Sequence, residues 1–293
     1  MSITQRHYFS GIFFFIASLF ISSCNDVITK HMGLKLPVAE VVFFRFFFST
    51  ILLLPFMVFR GIKAFKTRVP IIHFLRSVIL FLAMSLWTLG LTKANIVLAT
   101  IISFTIPLFV VILAVLFLHE KVSLSKWAAT LLGFVGIILI LNLKNIGQLR
   151  FSDFGLLLAA ICFASLDIIN KKYVAKESIF SMLFYSSLGI ILLASPQTIS
   201  YWVRPTFGQI LYLIGLGAGA NLLLYFILLA FKRVDASTLA PFRYIEVIIS
   251  SLLAYLFFHE VPSWATLRGA LLIIPSSLFI IYMDNKKRKK STT

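Results

Sequence analysis

Arg243 and Glu246 stand inside an apolar run, residues 237–258, that is long enough to cross a bilayer. A helix rises about 1.5 Å per residue, so counting from Ser237 puts Arg243 roughly 9 Å deep and Glu246 roughly 14 Å deep. The hydrocarbon core is about 30 Å thick, which brings Glu246 near its middle. A charge there costs about 2.5–3.5 kcal/mol even on the mildest scale, and it normally faces an internal cavity or a partner. The i, i+3 spacing puts both residues on one helix face, and Ser250 extends that face by a turn. Two readings follow: a cavity-lining pair that binds a charged substrate, or a self-neutralising pair that holds helices in register. Pro241 breaks the hydrogen-bond ladder of the first turns and frees backbone groups that a cavity can use.

Other polar residues lie within apolar runs. Asp26 with Lys30, and Asp167 with Lys171, are each spaced i, i+4. They read either as gates or cation-binding carboxylates at two ends of a pathway, or as intrahelical ion pairs whose lysines snorkel to the headgroups. Arg45 sits within Phe43-Phe-Arg-Phe-Phe-Phe48, roughly 10 Å into its run by helical rise. Its candidate roles are a fork of N–H donors for a ligand carboxylate, or a partner for Glu40 or Asp26. Thr100, Ser103 and Pro107 form a weakly polar stripe. Gly215 and Gly219 make a Gly-x-x-x-Gly pattern that brings two helices close. Asn221 and Tyr225, spaced i, i+4, either contact ligand or bridge helices. Trp87 reads as a cavity residue or a member of the interfacial aromatic belt, and its closeness to the outer end of its run favours the belt.

Enzyme and metal chemistry are not written here. The five histidines are His7, His31, His73, His119 and His259, scattered over different loops and helix ends. No His-Glu-x-x-His, paired-cysteine metal spacing, Gly-rich phosphate loop or nucleophile elbow appears. Neither a metal nor another cofactor is expected, and Cys24 and Cys162 read as free packing residues.

Positioning these side chains falls to long apolar helices. The composition is 60% hydrophobic and 13% charged, far from the roughly 25% charged residues of soluble domains. Ten candidate spans of about twenty residues follow, at 9–29, 38–59, 71–91, 95–118, 124–143, 153–173, 178–197, 207–231, 237–258 and 264–283. The fold class expected is an all-α polytopic membrane protein, with the lipid bilayer as its surroundings. The net charge of +17 lies in loops and in the tail Lys286-Lys-Arg-Lys-Lys290, a topology signal and not a nucleic-acid footprint. Of the 27 Lys and Arg residues, 17 fall on one side of the ten spans and six on the other, leaving Arg45, Arg76, Arg243 and Arg268 within spans. Both termini are therefore expected to be cytoplasmic.

The chain also repeats itself. Phe117-Leu-His-Glu120 recurs as Phe257-Phe-His-Glu260, and Asn25-Asp26-Val-Ile-Thr-Lys30 has a counterpart in Leu166-Asp167-Ile-Ile-Asn-Lys171. Each match joins span n to span n+5. Five is odd, so the second copy must run the opposite way through the membrane: two inverted five-helix repeats, residues 1–146 and 147–285, with a basic tail at 286–293. Such an architecture places a site near the midplane between the halves. Span nine is the counterpart of span four, whose stripe is nearly uncharged, so Arg243 and Glu246 mark where the second copy departs from the first.

Two five-helix halves, each with a Glu ending its fourth helix, resemble the EamA-type branch of the drug/metabolite transporter superfamily over the whole chain. A closer resemblance rests on Asn25-Asp26-Val27, Val42-Phe-Phe-Arg45-Phe-Phe-Phe-Ser49, Ile106-Pro-Leu-Phe109, Leu166-Asp-Ile-Ile-Asn-Lys-Lys172, Glu177-Ser-Ile-Phe-Ser-Met-Leu-Phe-Tyr-Ser186, Val234-Asp-Ala236 and Ala240-Pro-Phe-Arg-Tyr-Ile-Glu246. These stretches resemble the S-adenosylmethionine uptake transporters of obligate intracellular bacteria. The resemblance implies a non-enzymatic inner-membrane antiporter that imports S-adenosylmethionine in exchange for S-adenosylhomocysteine. The alternative within the superfamily is export of amino acids or cationic drugs and metabolites. For such a ligand, Glu246, Asp26 or Asp167 would offset the sulfonium and ammonium, and Arg45 or Arg243 would take the carboxylate. Phe104, Phe242 or Tyr244 would stack on adenine or the sulfonium, and Ser103 and Asn221 complete the candidate binding set.

Overall fold

The computed structural model describes residues 3–93, 102–140, 151–246, 248–249, 252–253 and 275, and these are helical with no strand among them. The helices are α1 (Ile3–Gly33), α2 (Val38–Phe59), α3 (Pro70–Lys93), α4 (Ile106–Leu118), α5 (Leu124–Ile140), α6 (Phe151–Tyr173), α7 (Ile179–Ser200), α8 (Phe207–Phe231) and the short α9 (Ala236–Leu239). Six of them, α1–α3 and α6–α8, are long and apolar enough to cross a membrane. A helix satisfies all its backbone groups internally, which the hydrocarbon core demands. Span ten and most of the second half of span nine fall outside the described residues, as do Thr100, Ser250 and the repeated His259-Glu260.

The ends of the helices are set by local chemistry. Pro70 opens α3, where its missing N–H costs nothing. Thr206 and Gln209 form a reciprocal capping box at the start of α8. His119 ends α4 in the left-handed region, φ 52°. Glu120 then reaches α9, accepting from the Ala236 and Ser237 N–H groups at 3.1 and 3.0 Å and from the Ser237 hydroxyl. A carboxylate thus supplies the cap that α9 requires of its first turn.

Span nine begins with the break in the ladder that Pro241 implies. After one α-turn, Ala240–Tyr244 tightens into a 3₁₀ turn with Pro241 in its first positions. A proline there accepts the turn but removes an N–H from the ladder that would have continued α9. Arg243 closes this turn and Glu246 lies just beyond it.

Packing joins the two parts of the chain. α1 lies along α8 and α3 along α6, while α2 meets both α7 and α8, and α3 meets α7. Exchanging every helix for the one five further on turns α1–α8 into α6–α3 and α2–α8 into α7–α3. The main apolar cluster gathers Phe15 and Leu19 of α1, Val110 and Val111 of α4, Ala160 and Ala164 of α6, and Leu228 and Phe231 of α8. Outward faces carry exposed apolar side chains such as Phe13, Phe56 and Leu211, as lipid contact requires. Small residues set the close approaches in such a bundle. Gly215 has nothing within 4 Å of an added Cβ; the tight positions are Gly217, against Phe48 and Ser49 of α2, and Gly219, against Asn25 of α1. Of the Gly-x-x-x-Gly pair, Gly219 thus marks a close approach and Gly215 does not; Gly217, outside the pattern, marks the other, because α8 meets two neighbours on adjacent faces.

Candidate functional site

One cavity of about 340 Å³ lies inside the bundle and draws on α1, α2, α3, α6, α8, the approach to α4 and the turn after α9. Ligand pockets run roughly 300–1,000 Å³, so this one is of a size to admit a small metabolite. Asp26, Arg45, Asp167, Arg243 and Glu246 all face it, and so do Ser103 and Phe104. Lys30 joins them, giving three acidic and three basic side chains around one space. Tyr244 and Asn221 are not among the residues that line it.

The pairing of these charges differs from what helical spacing suggests. Arg243 bonds to Asp167 through Nη2 and Oδ2, not to Glu246. That ion pair ties α6 to the turn after α9, and its guanidinium also sits 5.7 Å from the centroid of Phe15. Asp167 does not pair with Lys171 either. The Lys171 ammonium turns away to donate to the carbonyls of Phe231 and Val234, both at 2.8 Å, with Asp235 at 3.6 Å. It thereby satisfies carbonyls that the end of α8 leaves without helical partners.

Asp26 is likewise not paired with Lys30. Its carboxylate accepts from the indole N–H of Trp87 at 3.1 Å, and the ring stands edge-on to Phe163 at 6.1 Å. Trp87 is therefore a wall of the cavity and not a belt residue; an end-of-span position gave no hint that its N–H had an acid to serve. Arg45 lies close enough to Asp26 for their charges to interact, without an ion pair between them. Arg45 is 5% exposed, its hydrogen bond among the described residues is a long 3.5 Å contact to the Thr29 hydroxyl, and its Nε has no partner. Glu246 has the Ser22 hydroxyl beside it and feels both Asp26 and Arg243.

The walls are aromatic and amide-bearing. Phe15, Phe46, Phe104 and Phe163 present rings with Trp87, and Asn25 and Asn170 present amides. The Asn25 Nδ2 is buried without a partner. Tyr244 packs behind Phe104, ring centroids 5.9 Å apart, and is fully buried, while Phe242 belongs to the main apolar cluster. Asn221 instead bridges helices: its Oδ1 accepts from Ser49 at 2.6 Å and its amide donates to the Ser49 carbonyl at 2.9 Å. Tyr225 stacks among Phe180 and Phe226. Among the described residues no cluster of His, Cys, Asp and Glu suits a metal.

A bilayer-spanning helical bundle that encloses a charged, ligand-sized cavity between both parts of its chain is the build of a multi-pass membrane transporter. The chain belongs to the EamA-like transporter family, which matches residues 9–142 and 150–282. Two relatives are named S-adenosylmethionine uptake transporter. That of Rickettsia prowazekii (strain Madrid E) is 45% identical over 98% of this chain and 97% of its own. That of Rickettsia conorii (strain ATCC VR-613 / Malish 7) is 47% identical with the same coverage of both. A solved crystal structure shares the fold at TM-score 0.80 and 16% identity, covering 96% of this chain and 98% of that one.

Proposed function

We propose that this chain imports S-adenosylmethionine across the bacterial inner membrane, in exchange for S-adenosylhomocysteine, by alternating access. The observation that carries the reading is the cavity with its three acids, three bases and aromatic walls. S-adenosylmethionine is a sulfonium and an ammonium joined to a carboxylate and an adenine, so it asks for acids, a cation and flat apolar faces together. The relatives named for that uptake match nearly the whole chain, which extends the likeness well beyond the site.

Exchange follows from the charges. Arg243 and Asp167 pair with each other, but among the described residues Asp26, Glu246 and Arg45 form no ion pair. An empty carrier leaves those three charges in a dry space as it reorients, and a loaded one does not. S-adenosylhomocysteine keeps the amino-acid head and adenine and lacks only the sulfonium methyl and charge, so the same space receives it.

Alternating access is supported by the packing of α1–α3 on α6–α8, which is unchanged when each helix is exchanged for the one five further on. We take this as two inverted five-helix repeats, with ten spans and both termini cytoplasmic. Among the described residues, one difference between the copies bears on access. Lys171 is latched onto the α8 carbonyls, whereas its counterpart Lys30, 141 residues earlier in the sequence, lines the cavity. This corresponds to a carrier closed at the cytoplasmic end and accessible from the other, with the roles of the lysines reversed after transport.

Uptake of labelled S-adenosylmethionine into cells expressing the chain tests the reading. Saturable uptake, raised by preloading with S-adenosylhomocysteine and lost in Glu246→Gln, is expected. Absence of saturable uptake from preloaded cells rejects it.

A further inference from the structure

We propose that Arg45 is the residue that reads the substrate carboxylate, and that Asp26 beside it takes the ammonium of the same amino-acid head. The proposal rests on the transport reading above and adds an orientation to it. Of the two cavity arginines, Arg243 is committed to an acid: its Nη2 is held by Asp167, although its Nε is buried without a partner. Arg45 has no such acid among the described residues. It is 5% exposed, with the Phe46 ring 5.9 Å from its Cζ; its hydrogen bond among the described residues is the 3.5 Å contact to Thr29, and its Nε too is buried without an acceptor. A guanidinium has five N–H donors in a rigid fork matched to a carboxylate's two oxygens. That fork calls for an acceptor that the described residues do not provide.

The acids show the complementary vacancy. Asp26 has one oxygen occupied by the Trp87 N–H, and Arg45 is near without touching it. Glu246 is near Asp26, so two like charges share this part of the wall. An α-amino acid head carries its carboxylate and ammonium on a single carbon. Placed between α1 and α2, it gives Arg45 an anion and Asp26 a cation at once, and it leaves Glu246 for a second cationic centre further along the ligand.

The repeat sharpens the assignment. The position in α7 equivalent to Arg45 is Ser186, whose hydroxyl is buried without a partner. The fork thus exists in one copy only, and the head group stays with α1 and α2 in both orientations of the carrier. The ligands this arrangement selects are cations bearing a free α-amino acid, with the adenosine end toward Phe104, Phe163 and the turn holding Arg243.

The test compares S-adenosylmethionine with its decarboxylated analogue, which keeps sulfonium, primary amine and adenosine, as competitors of labelled S-adenosylmethionine in proteoliposomes. Wild type is expected to prefer the carboxylate-bearing compound by about tenfold or more, the worth of a charge-assisted hydrogen-bond pair. In Arg45→Gln that preference collapses because the first affinity falls while the second holds. Arg45→Lys retains charge without the fork and should keep only part of the preference, so it decides the matter if the glutamine variant does not fold. A wild type that binds both compounds equally, or an Arg45→Lys that keeps the full preference, overturns the assignment and leaves transport standing. A wild type that binds neither compound rejects the transport reading itself.

Discussion

Asp167 and Arg243 form the best-defined ionic contact in the cavity wall, and breaking it from either side leaves a buried charge alone. Such breakage costs about 3–5 kcal/mol, whereas removing both partners often costs little. We therefore expect Asp167→Asn and Arg243→Ala each to lower the melting temperature of the purified protein sharply. The double variant Asp167→Asn/Arg243→Ala should recover most of the loss. Equal, additive losses would place the two residues in separate environments. The sequence made every one of these intramembrane charges visible, since a charged residue in an apolar run stands out. It did not make their partners visible. Spacings of three and four see only neighbours on one helix, and so paired Arg243 with Glu246 and Asp167 with Lys171. The actual contacts, Arg243 to Asp167 and Asp26 to Trp87, join helices far apart in the chain. Asn221 illustrates the same limit: its polarity was plain, but only packing determines that it serves Ser49.

At the scale of elements, hydropathy places α2 and α8 to the residue and α3, α6 and α7 within about three residues, because span length follows from bilayer thickness; α1, Ile3–Gly33, runs beyond the expected 9–29 at both ends. Pro241 marked the break in the ladder but not its form, the 3₁₀ turn Ala240–Tyr244, whose tighter winding alters the face that Arg243 presents. The repeated His-Glu at helix ends was legible as a motif but not as a device. Glu120 turns out to cap α9 from the end of α4, tying α4 to the short helix that leads into the charged turn. Losing such a cap costs about 1–2 kcal/mol. Glu120→Ala should lower thermal stability by that amount, with Glu120→Gln intermediate because its amide oxygen still accepts. Transport velocity should fall more than substrate affinity, since the cap lies outside the cavity; a pure affinity loss would argue against this placement.

For the whole molecule, we propose Lys30 and Lys171 as alternate latches at opposite ends of one pathway. A variant with Cys24 and Cys162 replaced by serine and Lys30 by cysteine should react from the outside with a membrane-impermeant maleimide. Adding Lys171→Gln frees the Phe231 and Val234 carbonyls, favours the opposite orientation and should slow that labelling severalfold. Unchanged labelling would remove Lys171 from the gate. The proposed doubled architecture rests on two short matches at nearly one offset in the sequence. Which copy holds its latch is a property of packing and has no trace in a repeat.

The most direct measurement is counterflow in proteoliposomes. Vesicles containing the purified chain are loaded with S-adenosylhomocysteine and offered labelled S-adenosylmethionine, with Asp26→Asn and Glu246→Gln in parallel. Rapid, saturable accumulation that depends on the internal load, and a loss of about tenfold or more in each variant, is the predicted result. Accumulation that is independent of the load, or that survives both substitutions, would contradict the claim that these buried charges carry the exchange.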